Sequence, residues 1–595
     1  MDNDIVEVKI TSGINSPKPE GRILKILKRA SIEVVGTYFK KRGVEGFHPL
    51  GSSDIINLSK NPLLKKVTDG DRVVIHIEKM PTKHNRAIGS IKEIIGKSGT
   101  YNTELAVTLI KANIKPDFDK SVINEARELQ KTHKLQKEKN REDLRDLLTI
   151  TIDPDDSKDF DDAISIKREK DFFELGVHIA DVSYFVREES AIDKAAFERA
   201  TSVYLPGKVI PMLPEALSND LCSLKPGEDK LALSVFVKVK NDGNIISSRF
   251  AKTLIRSDRR FTYKEIDLIL EGAEEPDNKF KRTIEDMRKL TKALIKKREK
   301  RGAIDFNFPD TRIILNPNGS VKELIREERT FSQRIIEEFM LLANETVATY
   351  IFKHKIPSIS RVHEKPEAEK MEAFRNFVKT FGFTIPADNK VTPRHLQTIL
   401  AKIDNTNEEI LIGTMMLRSL QQAVYSSRNL GHFALATKNY THFTSPIRRY
   451  PDLIVHRILA DIIQKGRLSE ERENLYRKNL KEWTCEFSAK ERAADSAQMQ
   501  ATELKIMEYM EKRTGEIFKG IISGITSFGI FIEIKEGLEG LIHISDLKDD
   551  YYIFDEAELA LKGKRRGRIF RIGEKMKVKL TKIDLEKRQV DFLPA

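Results

Sequence analysis

Apolar and polar residues alternate along three short stretches near the start of the chain. These stretches are residues 21–29, 33–43 and 69–78, and basic residues are interleaved in the first two. Such alternation over a few residues, bounded by glycine turns, is typical of β-strands with one exposed face. The pattern predicts a small β-barrel over residues 11–115.

The pattern changes twice further along the chain. Strand patterns dominate from residue 147 to about 250, and helical patterns dominate from about 262 to 512. The segment 332–352 is apolar all around, which predicts a buried helix. A helix is also predicted from Pro451 to just before Gly466, because proline favours the first helical turn and glycine the position after the last.

These changes predict the domain order and the fold class. Residues 116–146 are charged and nearly free of glycine and proline, which predicts a solvated helix or helical linker. Residues 147–512 form the predicted central domain, and residues 513–595 return to strands. We therefore predict an α+β protein, with a large mixed α/β domain flanked by a small β-barrel on each side.

Composition narrows the class of protein. The chain has 595 residues, enough for several domains, and only two cysteines, which argues against a disulfide framework or a thiolate zinc site. No apolar run approaches the roughly 18 residues of a membrane helix, and the first residues lack a signal-peptide pattern. A cytoplasmic protein is expected. The formal net charge of +13 suggests a polyanionic partner.

The most unusual stretch is "TIDPDDSKDFDD", with six aspartates between Asp153 and Asp162. Apolar residues alternate with polar ones before Asp153, which predicts a half-buried strand that ends there. Pro154 breaks this strand, and a second alternation follows Asp162, so the chain is expected to return beside Asp153. Four carboxylates would then lie close together, those of Asp153, Asp159, Asp161 and Asp162. The two remaining acids, Asp155 and Asp156, are expected in the solvated loop.

Crowded carboxylates repel one another unless a cation is present. Ligands that are all oxygen suit Mg²⁺ or Mn²⁺. A calcium loop that began at Asp153 would need glycine and glutamate where Lys158 and Ile164 stand. A surface acidic turn without metal stays as the simpler alternative.

Clustered aspartates with metal ions are typical of phosphoryl chemistry. Phosphodiester hydrolysis needs an acceleration toward the top of the enzymatic range, roughly 10¹⁷-fold. One general acid or base supplies only about 10² to 10⁴. A pair of cations that activates water and stabilises the leaving oxygen would supply much of the difference.

Other central segments carry candidate ligands for a nucleic acid. Arg448 lies between Pro446 and Pro451, and an arginine fork in a stiffened segment matches a phosphate. Tyr204 and Phe306 lie in constrained loops where an aromatic ring could stack on a base. The simpler alternatives are core packing for the rings and neutralisation of buried acids for Arg448. Among the histidines only His442, near Arg448, is a candidate.

Five stretches together resemble the ribonuclease II/ribonuclease R family of bacterial exoribonucleases, and its ribonuclease R branch most. They are "TIDPDDSKDFDDAISI", "VHIADVSYFV", "TSVYLPGKVIPMLPEALSNDLCSL", "GHFALA" and "HFTSPIRRYPDLIVHR". The C-terminal "GEIFKGIISGITSFGIFIEI" and "GLIHISDL" resemble an S1-type RNA-binding barrel. The resemblance implies a catalytic RNB domain flanked by OB-fold barrels, cold-shock-like at the N-terminal side.

The resemblance also implies an activity and a set of residues. The activity is processive 3′→5′ hydrolysis of single-stranded RNA to nucleoside 5′-monophosphates, with Mg²⁺ or Mn²⁺ and two ions during catalysis. It implies a monomer, and substrates with 3′ single strands, including structured RNA with a 3′ overhang. The family's metal-binding positions correspond to Asp153, Asp159, Asp161 and Asp162. Its catalytic positions correspond to Asp161 and Arg448. Its RNA-binding positions correspond to Tyr204, Phe306, Glu338 and Arg448.

Two features depart from the family pattern. Family members usually begin with two cold-shock barrels, whereas here residues 1–10 resemble only a remnant of a first barrel. In the segment 42–50 Phe47 is the only aromatic residue, so RNA contact by this barrel is expected to be mainly electrostatic. Basic residues are expected to attract the RNA backbone: Arg22, Lys25, Lys28, Lys564, Arg565, Arg566 and Arg568.

Two rival functions remain. The first is a non-catalytic RNA-binding protein or chaperone built on OB barrels. Pure binding would gain nothing from clustered carboxylates that face a polyanion, which favours the enzyme. The second rival is an endonuclease with the same metals, and the length of the products distinguishes it from an exonuclease.

Overall fold

The structure is a computed structural model of the chain. It describes residues 5–12, 20–28, 32–41, 43–82, 84–133, 140–306, 308, 310–387, 390–404, 406, 408–556, 558 and 560–595. Two compact units are present. The first contains residues 1–115, 503–514 and 582–590, and the second contains residues 116–502, 515–581 and 591–595.

The strands are β1 (Ile5–Ser12), β2 (Glu20–Lys28), β3 (Glu33–Lys41), β4 (Val44–Pro49), β5 (Asn57–Leu58), β6 (Asp71–Lys79), β7 (Ile88–Lys97), β8 (Glu142–Asp143), β9 (Ile150–Asp153), β10 (Asp162–Arg168), β11 (Phe172–Ala180), β12 (Val203–Leu205), β13 (Lys208–Ile210), β14 (Asp229–Lys240), β15 (Ile245–Arg256), β16 (Arg259–Thr262), β17 (Asp310–Leu315), β18 (Val321–Glu327), β19 (Ser360–Val362), β20 (Val424–Ser426), β21 (Ile517–Thr526), β22 (Gly529–Ile534), β23 (Glu539–His543), β24 (Tyr552–Asp555), β25 (Ala560–Gly563), β26 (Ile569–Arg571), β27 (Lys575–Asp584) and β28 (Gln589–Pro594).

The α-helices are α1 (Tyr101–Lys111), α2 (Lys120–Thr132), α3 (Val182–Phe185), α4 (Ala191–Arg199), α5 (Tyr263–Glu271), α6 (Asn278–Arg301), α7 (Phe331–Lys353), α8 (Ala368–Lys379), α9 (Pro393–Ile403), α10 (Glu409–Ser419), α11 (Tyr450–Lys465) and α12 (Glu470–Glu511). Among the helices that the structure describes, none combines the length and the apolar character needed to cross a bilayer.

The first unit contains the small N-terminal sheet. Its five strands lie in the order β4-β3-β6-β7-β5, and β1 and β2 pair as a separate hairpin. Tyr38, Phe47, Val73 and Ile75 form its core because alternate residues of these strands point inward. Phe47 is fully buried, so its ring cannot stack on a base. Of the basic residues predicted to attract RNA here, Arg22 and Lys25 are exposed, and the side chain of Lys28 lies outside the described residues.

A seven-stranded sheet forms the centre of the second unit, in the order β16-β9-β10-β11-β14-β15-β8. Neighbouring strands are antiparallel except at the two edges, where β16 and β8 run parallel to their neighbours. The strand predicted to end at Asp153 is β9. It is not half-buried as predicted, because Thr149 and Thr151 are as inaccessible as Ile150.

The predicted central helices are present. Helix α7 buries Ile335, Phe339 and Val347 against the sheet. Helix α11 has Pro451 in its first turn, and Gly466 follows it with a positive φ of 74°. The charged run 116–146 includes α2, whose Val122 and Ala126 join the core of the second unit.

A closed barrel follows α12, with strand order β21-β22-β23-β28-β27. A three-stranded sheet, β24-β25-β26, is inserted between its third and fourth strands in the chain. The loop from Lys564 to Arg568 joins β25 to β26, and its four basic side chains are exposed. The mixed central sheet and these small β-domains confirm the predicted α+β class.

Candidate active site

The acidic stretch lies at one end of the seven-stranded sheet. Strand β9 ends at Asp153, and its antiparallel neighbour β10 begins at Asp162. The intervening loop carries Asp159 and Asp161. This is the return of the chain that the alternation predicted, and it gathers the four aspartates at a single sheet end.

Long-range contacts fix the loop between these strands. The Arg260 guanidinium donates to the backbone carbonyls of Pro154 and Asp155, at 2.5 and 3.1 Å. Ser223 donates its hydroxyl to the Lys158 carbonyl at 2.8 Å and accepts the Phe160 N–H at 3.1 Å. We did not identify Arg260 and Ser223 from the sequence, because both lie far from the loop in the chain.

Asp161 and Arg448, the two proposed catalytic residues, lie next to each other in the structure. The buried Asp161 carboxylate accepts the backbone N–H of Ile447 at 3.0 Å, and its other oxygen lies 3.8 Å from Arg448 Nε. The Arg448 guanidinium also donates to Ser445 Oγ at 3.0 Å, and its side chain stays 42% exposed. A fixed acid therefore lies beside a cation that can still reach a ligand.

The carboxylates lack sufficient compensating charge. The pKa of Asp153 is raised to about 7, mainly by burial, and that of Asp162 to about 8, by burial and by the neighbouring Asp153 carboxylate. Burial also raises the pKa of Asp161 well above its usual range, although Arg448 and the Ile447 N–H oppose this. Among the residues that the structure describes, none donates a hydrogen bond to the buried Asp153 Oδ2. A hard divalent cation fits this site because it would supply the missing charge and accept oxygen ligands.

The side chains of the four aspartates do not form a closed ligand shell around a metal position. Within the part of the chain that the structure describes, no three acidic, histidine or cysteine side chains form a group ready to hold a metal ion. A divalent cation suits the site because the four acids supply negative charge and oxygen ligands. Binding of an ion would draw their side chains together.

Tyr204 lies close to this acidic site. It is the central residue of β12 in a two-strand hairpin, and its ring is 41% exposed. The hairpin is attached to the arginine segment, since Ser202 N–H donates to the Arg448 carbonyl at 3.0 Å. Burial raises the Tyr204 pKa, the Arg448 charge opposes this, and Asp159 and Asp161 raise it further.

Phe306 and Glu338 lie in a second group of contacts. The Phe306 ring stacks on Phe308 with centroids 5.6 Å apart and packs beside an apolar cluster that includes Phe374. The buried Glu338 carboxylate pairs with Arg298 Nε at 2.7 Å. Burial raises its pKa to about 6, and the Arg298 charge opposes this rise. These contacts of Phe306 and Glu338 are made with Phe308, the cluster that includes Phe374, and Arg298, and none of them involves the four aspartates.

Asp452 supports the arginine segment, and sequence reasoning did not assign it to the site. It is fully buried at the third position of α11, and one oxygen accepts the Ser445 N–H at 2.9 Å and pairs with Arg449 at 2.7 Å. The turn from Ser445 to Arg449 carries both contacts to Asp161. The position of Asp452 in the first turn of α11 predicts a capping role. Only the folded structure shows that the turn from Ser445 to Arg449 contacts Asp161.

Two further residues complete the surroundings. Burial raises the pKa of Tyr263, and the charges of Asp162 and Asp153 raise it as well, so this tyrosine lies near the acids. Sequence reasoning also missed Tyr263. His442 is buried, and its Nδ1 lies 2.9 Å from the Tyr425 hydroxyl. Burial and the Arg449 charge lower its pKa well below the usual range, so it is neutral near pH 7.

Comparisons with known proteins match three domain families to this chain. The RNB domain family matches residues 141–465, the S1 RNA binding domain residues 511–593 and the cold shock domain residues 53–119. Ribonuclease R of Aquifex aeolicus is 38% identical over 99% of this chain and 84% of its own length.

Two solved structures of Mycoplasma genitalium RNase R are also similar. One, in complex with ribose-methylated single-stranded RNA, is 27% identical with a TM-score of 0.89, covering 100% of this chain and 94% of that one. The other, in complex with double-stranded RNA, is 25% identical with a TM-score of 0.85, covering 96% and 97%. The predicted RNB centre and its flanking barrels are thereby confirmed. The chain belongs to the ribonuclease R family of RNase II-type exoribonucleases.

Proposed function

We propose that the chain degrades single-stranded RNA processively from its 3′ end to nucleoside 5′-monophosphates. The proposal assigns Mg²⁺, or Mn²⁺ in its place, to Asp153, Asp159, Asp161 and Asp162, with two ions during catalysis. The observation that supports it most is the pairing of Asp161 with Arg448, because it joins an under-compensated acidic site to a cation that is free to meet a phosphate.

The cations, when bound, supply Lewis acidity that activates water and stabilises the leaving oxygen. The chain's own residues then position the RNA. Asp161 is kept in place by the Ile447 N–H, and the Arg448 guanidinium offsets the charge that develops on the phosphate. Because Ser445 holds one end of the Arg448 fork, the fork meets the phosphate with little loss of entropy.

The aromatic residues are proposed to hold the terminal bases. The exposed Tyr204 ring lies near Arg448, where a base next to the scissile phosphate would stack. Phe306 is the proposed second ring, and Glu338 the proposed contact to a ribose. Arg298 pairs with both Glu338 and Asp305, at 2.7 and 2.9 Å, so Glu338 would also steady the segment that carries Phe306.

The proposed substrates are RNAs with a single-stranded 3′ end, including duplexes with a 3′ overhang. The Mycoplasma genitalium complexes support this, since both single-stranded and double-stranded RNA were bound. A monomer in the cytoplasm is the proposed working form.

Digestion of a uniformly labelled single-stranded RNA tests the proposal. We expect mononucleotides and a short residual oligomer in Mg²⁺, no products in EDTA, and recovery when Mg²⁺ is restored. Asp161→Asn should bind the RNA but lose hydrolysis, whereas Asp156→Asn, in the exposed part of the same loop, should keep it. Internal fragments would indicate an endonuclease, and binding without cleavage by the unaltered chain would indicate a binding protein; either contradicts the proposal.

A further inference from the structure

The β12–β13 hairpin that carries Tyr204 is too small to fix its own position. Each of its strands has three residues, and a two-residue turn, Pro206-Gly207, joins them. A two-stranded hairpin without further support is marginally stable at best. The orientation of the Tyr204 ring therefore depends on the contacts that the hairpin makes with other elements.

The first attachment is at the start of the hairpin. Tyr450 N–H donates to the Ala200 carbonyl at 2.8 Å, and Ser202 N–H donates to the Arg448 carbonyl at 3.0 Å. Ala200 is buried and has a φ of 60°, a strained value for a residue with a Cβ. Such strain persists only where surrounding contacts impose it. The arginine segment thus fixes where the hairpin begins, but this attachment at one end does not set how the strands are turned about it.

The second attachment comes from helix α12. The side chain of Gln498 accepts the Tyr204 N–H at its Oε1, at a distance of 2.7 Å. Among the residues that the structure describes, no other hydrogen bond joins Tyr204 to an element outside its own hairpin. This bond is made at the residue whose ring direction matters, so it can set the angle that the first attachment leaves open.

The sequence of α12 explains how a glutamine reaches the hairpin. Ala494, Ala497 and Ala501 are buried and recur every three or four residues, so they lie on one face of the helix. Small side chains at a contact let a helix approach its neighbours closely. Gln498 adjoins this face, since it follows Ala497 directly and lies four residues after Ala494. Its side chain is therefore long enough to meet a neighbouring backbone.

The same helix also holds other elements of the second unit. Ser488 Oγ accepts the Tyr425 N–H of β20 at 2.9 Å, and Glu491 pairs with Arg361 of β19 at 2.5 Å. Helix α12 is continuous over 42 residues. Because one continuous helix carries these contacts and that of Gln498, it keeps the hairpin in line with β19 and β20.

We propose that Gln498 is the positioning residue of the Tyr204 ring and sets the angle at which this ring meets the terminal base. The inference rests on the proposed function, which assigns the base to the ring. The bond lies at the surface, so water can replace Gln498 as the acceptor with little loss of stability. Loss of the bond should therefore change the direction of the hairpin and leave the folding of the protein intact.

The test compares Gln498→Met with Gln500→Met. Methionine keeps the length and the helix propensity of glutamine but is only a weak acceptor. We expect Gln498→Met to leave a longer undigested end product from labelled single-stranded RNA, as for Tyr204→Ala. In an Asp161→Asn background it should bind a 4-nucleotide RNA about fivefold more weakly, the loss expected for one hydrogen bond. Gln500 donates within α12, to Ser496 Oγ at 2.9 Å, and its variant should match the unaltered chain in both measurements. The Tm should stay the same in both variants.

Gln498→Glu is the rescue variant, because its carboxylate still accepts the Tyr204 N–H but adds a negative charge. We expect weaker RNA binding together with an end product of the unaltered length. A change of charge or of stability alone would not give this combination. An unaltered end product with Gln498→Met, or an equally long one with Gln498→Glu, would overturn the proposal. The proposed function is scored separately, by mononucleotide release from the unaltered chain, so the two proposals fail on different measurements.

Discussion

At the scale of single residues, the protonation of the aspartates should control the proposed binding of a cation. Without a cation the folded protein keeps protons on Asp153 and Asp162 up to about pH 7 and 8, whereas unfolded aspartates release theirs near pH 4. The unfolded state therefore binds fewer protons between these values, and the free energy of unfolding falls as pH rises. We expect the Tm in EDTA to decrease from about pH 5.5 to 8.5, and the Tm gain from Mg²⁺ to grow over the same range.

The double variant Asp153→Asn/Asp162→Asn isolates this effect, because its amides do not titrate. Compared with the unaltered chain in EDTA, it should show a flatter dependence of Tm on pH and little gain from Mg²⁺. If the two proteins had parallel Tm profiles in EDTA, these aspartates would not carry the protons in the folded state.

Asp452 tests how far the arginine turn depends on a single buried acid. Asp452→Asn can still accept the Ser445 N–H but no longer neutralises Arg449. The turn that carries Ile447 and Arg448 should loosen, and we expect kcat to fall about 10- to 100-fold with little change in RNA affinity. Steady-state kinetics and RNA binding measure the two effects.

The control for Asp452 is Asp461→Asn. Asp461 is also a buried acid of α11, but it pairs with Lys465 and Arg472 instead of the arginine turn. Both variants should lower the Tm, because each removes the ion pairs of a buried carboxylate. A similar loss of kcat in both would show that Asp452 acts through general stability.

At the scale of elements, the sequence predicted well what depends on neighbours in the chain. The end of β9, the start of β10 and the limits of α11 follow from apolar alternation, proline and glycine. The burial of Thr149 and Thr151 was missed because alternation in one strand does not report whether the second face of the sheet is also covered. Strands β17 to β20 were missed because they lie in a region whose overall pattern is helical: β17 and β18 form a single hairpin between α6 and α7, and β19 and β20 have three residues each.

The β12–β13 hairpin gives a prediction at this scale. Gly207 turns the hairpin with a φ of +74°, and a Cβ there would lie 2.6 Å from Leu315 Cδ1. Gly207→Ala should strain the turn by roughly 1 kcal/mol and displace Tyr204. We expect about fivefold weaker binding of short RNA and a longer undigested end product, as for Tyr204→Ala.

Gly319→Ala is the matched control for the hairpin. Gly319 also has a positive φ, 79°, and lies between β17 and β18, but a Cβ there meets nothing within 4 Å. It should leave the length of the end product unchanged. An unchanged end product with Gly207→Ala and Tyr204→Ala would show that this ring does not hold the terminal base.

At the scale of the whole molecule, the site depends on residues that are far apart in the chain. Asp161 meets Ile447 across 286 positions, and Arg260 meets the loop carbonyls across more than 100. Local patterns cannot predict such contacts. The four aspartates and Arg448 were each singled out from local sequence, but their pairing was not, and Arg260, Ser223 and Asp452 were not assigned to the site at all.

Net charge is a property of the whole chain, but its effect should depend on where the cations are held. In the loop that joins β25 to β26, the Asp550 carboxylate accepts the N–H groups of Arg565 and Arg566 at 2.9 and 2.6 Å. It therefore fixes a loop with four exposed cations, of which Arg568 also lies 3.8 Å from the Asp549 carboxylate. Asp550→Ala would raise the net charge by one and yet release this loop.

We therefore expect Asp550→Ala to weaken RNA binding about two- to fivefold at low salt, although bulk charge alone would predict tighter binding. Asp546→Ala, with the same change of charge at a neighbouring carboxylate, is the control and should bind equally well or slightly better. Salt titrations of the RNA affinity of both variants distinguish the effect of the ordered loop from that of total charge. If the two bound RNA alike, the total charge of the chain would govern RNA attraction, and the order of this loop would contribute nothing.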